Sequence, residues 1–92
     1  MNDFSRADLD TLKAQVDLAE LMRSSGIDLK AEGQNLKACC PWHEDKTPSL
    51  VLNPKKQLYN CFGCGAKGDV LDFLQVHEGL SFGGAVTRLR EL

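Results

Sequence analysis

An α+β fold, a small antiparallel sheet flanked by helices at both ends, follows from three features of the sequence. Apolar residues recur every three or four positions towards each end. The period falls to two between Ile27 and Phe62, and within that stretch two pairs of potential metal ligands stand at matching spacing. A chain of 92 residues makes one small domain, which buries only about 60–65% of the surface that its unfolded form exposes. The expected organisation is leading helices over 1–26, a ribbon-like sheet over 27–68 and trailing helices over 69–92.

Taken in order, Ser5 is placed to cap a first helix with Leu9, Leu12 and Val16 along one face and Asp8 in its first turn. Asp17 offers a second cap, followed by Leu18, Leu21 and Met22 as the next apolar face. "SSG" ends that helix with Gly26 in the left-handed closing position. These apolar side chains read as core. "IDLKAEGQNLKAC" then reads as a short strand, a turn at Gly33 and a second strand carrying Leu36 and Ala38. Ser49–Asn53 and Gln57–Phe62 are the third and fourth strands, with Pro54 marking the turn between them. Connections this short predict an antiparallel meander. Asp69 caps a helix whose apolar positions are Val70, Leu71, Phe73, Leu74 and Val76, and Gly79 closes it. Ser81 caps a last helix with Phe82, Val86 and Leu89. The chain stops at Leu92 without a closing glycine, which reads as an N-terminal piece of something longer.

The net charge of −2 is unevenly spread. Residues 1–32 carry 4 basic and 7 acidic side chains, residues 33–68 carry 5 and 2, and residues 69–92 carry 2 and 4. The middle is thus a modest basic segment between acidic flanks, a weak pointer to nucleic acid. "MNDFSRADLD" has no apolar stretch of the signal-peptide kind, and no apolar run approaches the roughly 20 residues needed to cross a bilayer. A cytoplasmic protein with no membrane partner is expected, and reduced cysteines there point to metal before disulfide.

Cys40-Pro41-Trp42-His43 and Cys61-Phe62-Gly63-Cys64 have the same two-residue spacing, with 17 residues between the pairs. Each can fold into a tight knuckle that aims two side chains at one ion, Pro41 and Gly63 supplying the restricted and permissive backbone. Three thiolates and one imidazole make a closed tetrahedral shell, the donor set of a structural zinc ion, so one Zn2+ is expected. A redox dithiol at Cys61 and Cys64 would normally open a helix, whereas here a strand precedes and Gly65 follows. An iron–sulfur cluster would need Cys39 and leave His43 idle. Cys39 and Cys40 point opposite ways in extended backbone, and Cys40 has the matching spacing.

With these residues in view, "CCPWHEDKTPSLVLNPKKQLYNCFGCGAKGDVLDFL" resembles the N-terminal zinc-binding domain of bacterial replicative DNA primases, whose pattern is Cys-Pro-Phe-His, Lys-Thr-Pro-Ser and Cys-Phe-Gly-Cys-Gly. The likeness extends through "VDLAELMRSSGIDLK" before it and "FLQVHEGLSFGGAVTRL" after it. Trp42 departs from the usual Phe. The resemblance implies a zinc ribbon ligated by Cys40, His43, Cys61 and Cys64. It also implies a domain that binds single-stranded DNA template, helps to choose where an RNA primer starts, and works with a catalytic RNA polymerase domain in the same or a neighbouring chain. A replicative helicase would be a further partner of the full-length protein.

Single strands are held by cations on phosphates and aromatic faces under bases. Lys46, Lys55, Lys56 and Lys67 are the candidate cations, and Tyr59 and Phe62 the candidate rings. Each lysine can equally be an ordinary solvated side chain, and Phe62 and Trp42 can instead pack over the metal site. Thr47, Pro48 and Ser49 could hold a phosphate or simply fix a turn, and His77 stands mid-helix with no partner legible. The other reading of the whole is a structural ribbon that docks a protein partner without touching DNA. No catalytic centre is expected. Nucleotidyl transfer needs clustered carboxylates around divalent metals, and no Asp-x-Asp follows a strand. "GCGAKGD" lacks the order of a phosphate-binding loop.

Overall fold

Helix signals at each end and hairpins between them become nine elements in a computed structural model that describes residues 6–42 and 48–92. In chain order these are α1 (Arg6–Ala14), α2 (Leu18–Ser24), β1 (Lys30–Glu32), β2 (Asn35–Ala38), β3 (Leu50–Asn53), β4 (Leu58–Cys61), β5 (Lys67–Gly68), α3 (Val70–Glu78) and α4 (Phe82–Glu91). The strands form one sheet in sequence order, each antiparallel to its neighbour. The expected cap at Ser5 lies outside the described residues.

The Asp17 side chain accepts the Ala19 N–H and opens α2. Its far end closes by two backbone bonds, Gly26 N–H to the Arg23 carbonyl and Ile27 N–H to that of Met22. This is the Schellman arrangement, with Gly26 at φ +93°. Ile27 is therefore consumed in ending the helix, so β1 begins only at Lys30, later than the sequence suggests. Ile27 and Leu29 are nonetheless buried.

Strand alternation divides the sheet into two faces. Leu50, Leu52, Tyr59 and Cys61 point inward and are at most 3% exposed. They share one apolar core with Leu18 and Met22 of α2, Phe73 and Leu74 of α3, and Val86 and Leu89 of α4. The outward row runs Lys30, Lys37, Val51, Asn60, Lys67 across all five strands. The two-residue β5 was not expected, being too short to show a period of its own. It turns the chain back from the second knuckle into α3.

Gln57 stitches the β3–β4 turn to the leading helices. It adopts a left-handed conformation at φ +56°. Its Oε1 accepts the Leu18 N–H at 2.7 Å, an otherwise orphan donor of the first turn of α2, and its Nε2 donates to the Pro54 carbonyl at 2.7 Å. No helix among the described residues is long and apolar enough to cross a membrane.

Candidate metal centre and exposed sheet face

The second knuckle is built by backbone. Cys61 ends β4, and its N–H donates to the Ala66 carbonyl at 2.7 Å while Gly65 N–H donates back to the Cys61 carbonyl at 2.8 Å. Gly65 takes φ +83°, a value that few side chains tolerate. The turn brings Cys64 over Cys61, and Cys40 arrives from just beyond β2. The Sγ atoms of Cys40, Cys61 and Cys64 lie within 4.8 Å of one another. Cys40 and Cys64 are 3.8 Å apart. Zinc–thiolate bonds of about 2.3 Å at the tetrahedral angle set two sulfurs about 3.8 Å apart, so this pair already has the spacing of a tetrahedral edge. No disulfide joins the four cysteines, and Cys39 is exposed and outside the cluster.

The thiols are unequal. Burial pushes Cys40 up to about 12; the Trp42 backbone N–H opposes the shift, and hydrogen bonding with the sulfurs of Cys61 and Cys64 adds to it. Burial also raises Cys61, but the Ser49 hydroxyl, 3.4 Å from its sulfur, and the backbone N–H groups of Cys64 and Gly63 outweigh burial and bring it to about 7. Sulfurs this close repel one another as thiolates, and a soft divalent cation between them reverses that penalty. The donor set fits zinc.

Of the four predicted ligands the structure brings together three, Cys40, Cys61 and Cys64; His43 lies outside the described residues, as do Lys46 and Thr47. Trp42 turns inward. Its ring centroid is 5.6 Å from that of Tyr59 and 5.9 Å from that of Phe73. Its Nε1–H donates to His77 Nδ1 at 3.2 Å. His77, partnerless in the sequence reading, thus has a partner and also stacks on Phe73 with centroids 4.9 Å apart.

Tyr59 is a correction to the list of candidate DNA contacts. Its ring is 3% exposed on the inner face, between Trp42 and Phe73, so it offers no surface to a base. Burial pushes its hydroxyl up to about 12, with the carboxylates of Asp72 and Asp69 adding to the shift. Phe62 reverses the other expectation, that it packs over the metal: it is 74% exposed. Lys55 and Lys56 are exposed in the β3–β4 turn, and Lys67 is exposed on the outer sheet row. None of the three forms an ion pair among the described residues, whereas Lys37 reaches Glu32 at 3.1 Å. Lys30, Lys37 and Asn60 also occupy the outer row. Sequence reasoning missed them, although alternation from Cys61, which turns Tyr59 inward, would have placed Asn60 there.

A family model described as the CHC2 zinc finger matches residues 4–92. The DNA primase of Pseudomonas aeruginosa is 48% identical over 81 residues, which are 88% of this chain and 12% of that protein. The DNA primase of Chlamydia pneumoniae is 45% identical over 83 residues, 90% of this chain and 14% of that one. Among solved structures, the zinc-binding and RNA polymerase domains of the Aquifex aeolicus primase superpose with a TM-score of 0.82 at 36% identity, covering 91% of this chain and 21% of that one. The chain therefore spans about an eighth of the length of these curated relatives.

Proposed function

The chain belongs to the CHC2 zinc-finger family as the zinc-binding domain of a DNA primase, and from that premise we propose that it holds single-stranded template and helps to set where a primer begins. The domain carries one structural zinc. We assign its ligands as Cys40, His43, Cys61 and Cys64, which makes residues 1–92 one zinc-binding unit of leading helices, ribbon and trailing helices. Held by these residues, zinc would supply a closed structural cross-link between the chain just beyond β2 and the end of β4. Buried sulfurs and the inward aromatic cluster fix the inner face, which leaves the outer face to meet a partner.

The observation that carries this reading is the outer face itself. Lys56 and Lys67 line one groove with the solvent-facing ring of Phe62, and Lys55 is exposed next to Lys56 in the β3–β4 turn. Unpaired ammonium groups neutralise phosphates, and an exposed aromatic ring supports an unstacked base. The working partner is a catalytic RNA polymerase domain, in the same or a neighbouring chain, with a helicase contacted through the full-length protein.

Titration of the zinc-loaded chain with labelled single-stranded oligonucleotides at two salt concentrations tests it. A few lysines give a shallow dependence, about −0.7 per phosphate contacted on a log–log scale. The double variant Lys55→Glu/Lys56→Glu should weaken binding several-fold and leave thermal stability nearly unchanged, since exposed charges contribute little to folding. Unchanged affinity would favour the protein-docking ribbon.

A further inference from the structure

A single side-chain hydrogen bond joins the first knuckle to the last turn of α3. Trp42 lies within that knuckle in sequence, between Cys40 and His43, and its backbone N–H donates to the Cys40 sulfur. Its indole packs on Tyr59 and Phe73 at centroid distances of 5.6 and 5.9 Å, contacts that a phenylalanine ring can also make. The bond from Nε1–H to His77 Nδ1, at 3.2 Å, is directional and requires an indole. Its acceptor is firmly placed. The imidazole lies on the buried ring of Phe73 with centroids 4.9 Å apart and planes 15° from parallel. The next residue, Glu78, accepts from Arg88 of α4 at 3.1 Å. An imidazole that accepts at Nδ1 carries its proton on Nε2, so the contact also fixes the tautomer of His77.

We propose that His77 is a positioning residue of the metal centre: it holds the Trp42 indole and, through it, the backbone that aims Cys40 at the ion. The inference rests on the assignment of Cys40 to the zinc shell and extends that shell's support to α3. His77 is not among the residues whose ligand atoms gather within 4.8 Å of one another, so its influence on the ion runs through Trp42. Groups that orient a ligand raise metal affinity without touching the metal. A knuckle whose backbone is already set has less freedom to lose when the ion binds, and binding tightens accordingly. The stack on Phe73 and the bond to Trp42 are separable parts of this arrangement, because different atoms of the imidazole make them.

The test measures zinc affinity of the whole chain by competition with a chromophoric chelator at neutral pH, with circular dichroism as the check on folding. His77→Phe keeps a ring on Phe73 and removes the acceptor, and it should weaken zinc binding roughly three- to tenfold, the range of one hydrogen bond. His77→Asn sets an amide oxygen where Nδ1 stood and gives up the ring, and its affinity should stay within about twofold of the unaltered chain. In a Trp42→Phe chain, which lacks the donor, adding His77→Phe should change affinity by no more than about twofold. If His77→Phe folds poorly, His77→Ala against His77→Asn, one without an acceptor and one with it, decides the same question. Unchanged affinity in His77→Phe, an equal loss with and without the indole, or an Asn variant as weak as the variant without an acceptor overturns this inference and leaves the zinc assignment standing. A Cys40→Ser chain that binds zinc as tightly as the unaltered one overturns the assignment itself.

Discussion

Cys39 is exposed, whereas Cys40 is 4% exposed with its sulfur 3.8 Å from that of Cys64. Successive residues of extended backbone face opposite ways, so one of this pair can reach the ion and the other cannot. Cys39→Ser should therefore keep both zinc and fold, and Cys40→Ser should lose both, as read by metal content and circular dichroism. Zinc lost from Cys39→Ser would mean that the ligands are misassigned. The cysteines were legible because two-residue spacing is a local property of sequence. Tyr59 was not read correctly, although alternation from Cys61 places it inside. Its neighbour Trp42 comes from a distant segment, and which rings gather around α3 depends on how the helix docks. The bond from Trp42 to His77 had no signal in sequence at all, since 35 residues separate the two.

The caps of the two trailing helices were legible for the same local reason. The Asp69 side chain accepts the N–H groups of Leu71 and Asp72, and the Asp72 carboxylate accepts the Asp69 N–H, completing a capping box. The fifth strand was not legible, yet it places Gly68 against this cap. Gly68 has φ +150°, and a Cβ there would collide with the Asp72 side chain. Asp69→Ala should cost about 1–2 kcal/mol, the range for a lost N-cap. Gly68→Ala should cost a similar amount through strain and a displaced Asp72 carboxylate. Urea unfolding of the zinc-loaded chain measures both. Burial raises the Asp69 carboxyl, but the Lys13 ammonium at 3.0 Å and the Asp72 backbone N–H outweigh it and hold the group below its ordinary value. A lowered folded-state value means that this stabilisation is fully present above about pH 4 and is lost as pH falls through it. Asp69→Ala should accordingly lose less stability, relative to the unaltered chain, in strong acid than at pH 7.

At the scale of the whole molecule, a domain this small depends on its ion. Structural zinc contributes about 10–16 kcal/mol in finger peptides, and bound at the proposed ligands it would tie the chain beyond β2 to the end of β4. A strong chelator should unfold the sheet before the helices, seen as loss of near-ultraviolet signal ahead of helical signal. Among the described residues the cysteine trio is the sole His, Cys, Asp or Glu cluster able to hold a metal, and the sequence has no Asp-x-Asp after a strand. The chain alone should make no primer. On the proposed reading, holding template beside a polymerase domain in a full-length primase would turn an encounter into a local event set by the linker. Cys61→Ser in that protein should reduce initiation far more than extension of an annealed primer, and equal loss of both would point to general damage.

Trp42 is the single tryptophan of the chain, one residue from a proposed zinc ligand, and its indole is hydrogen-bonded to His77 of α3. That makes the molecule its own optical gauge. Ultraviolet emission comes almost entirely from a fluorophore two residues from Cys40 of the sulfur cluster, so metal occupancy should be readable in solution without any dye. Withdrawal of the ion should carry the indole from an apolar, hydrogen-bonded niche into water, and its emission should shift to the red in step with the zinc released.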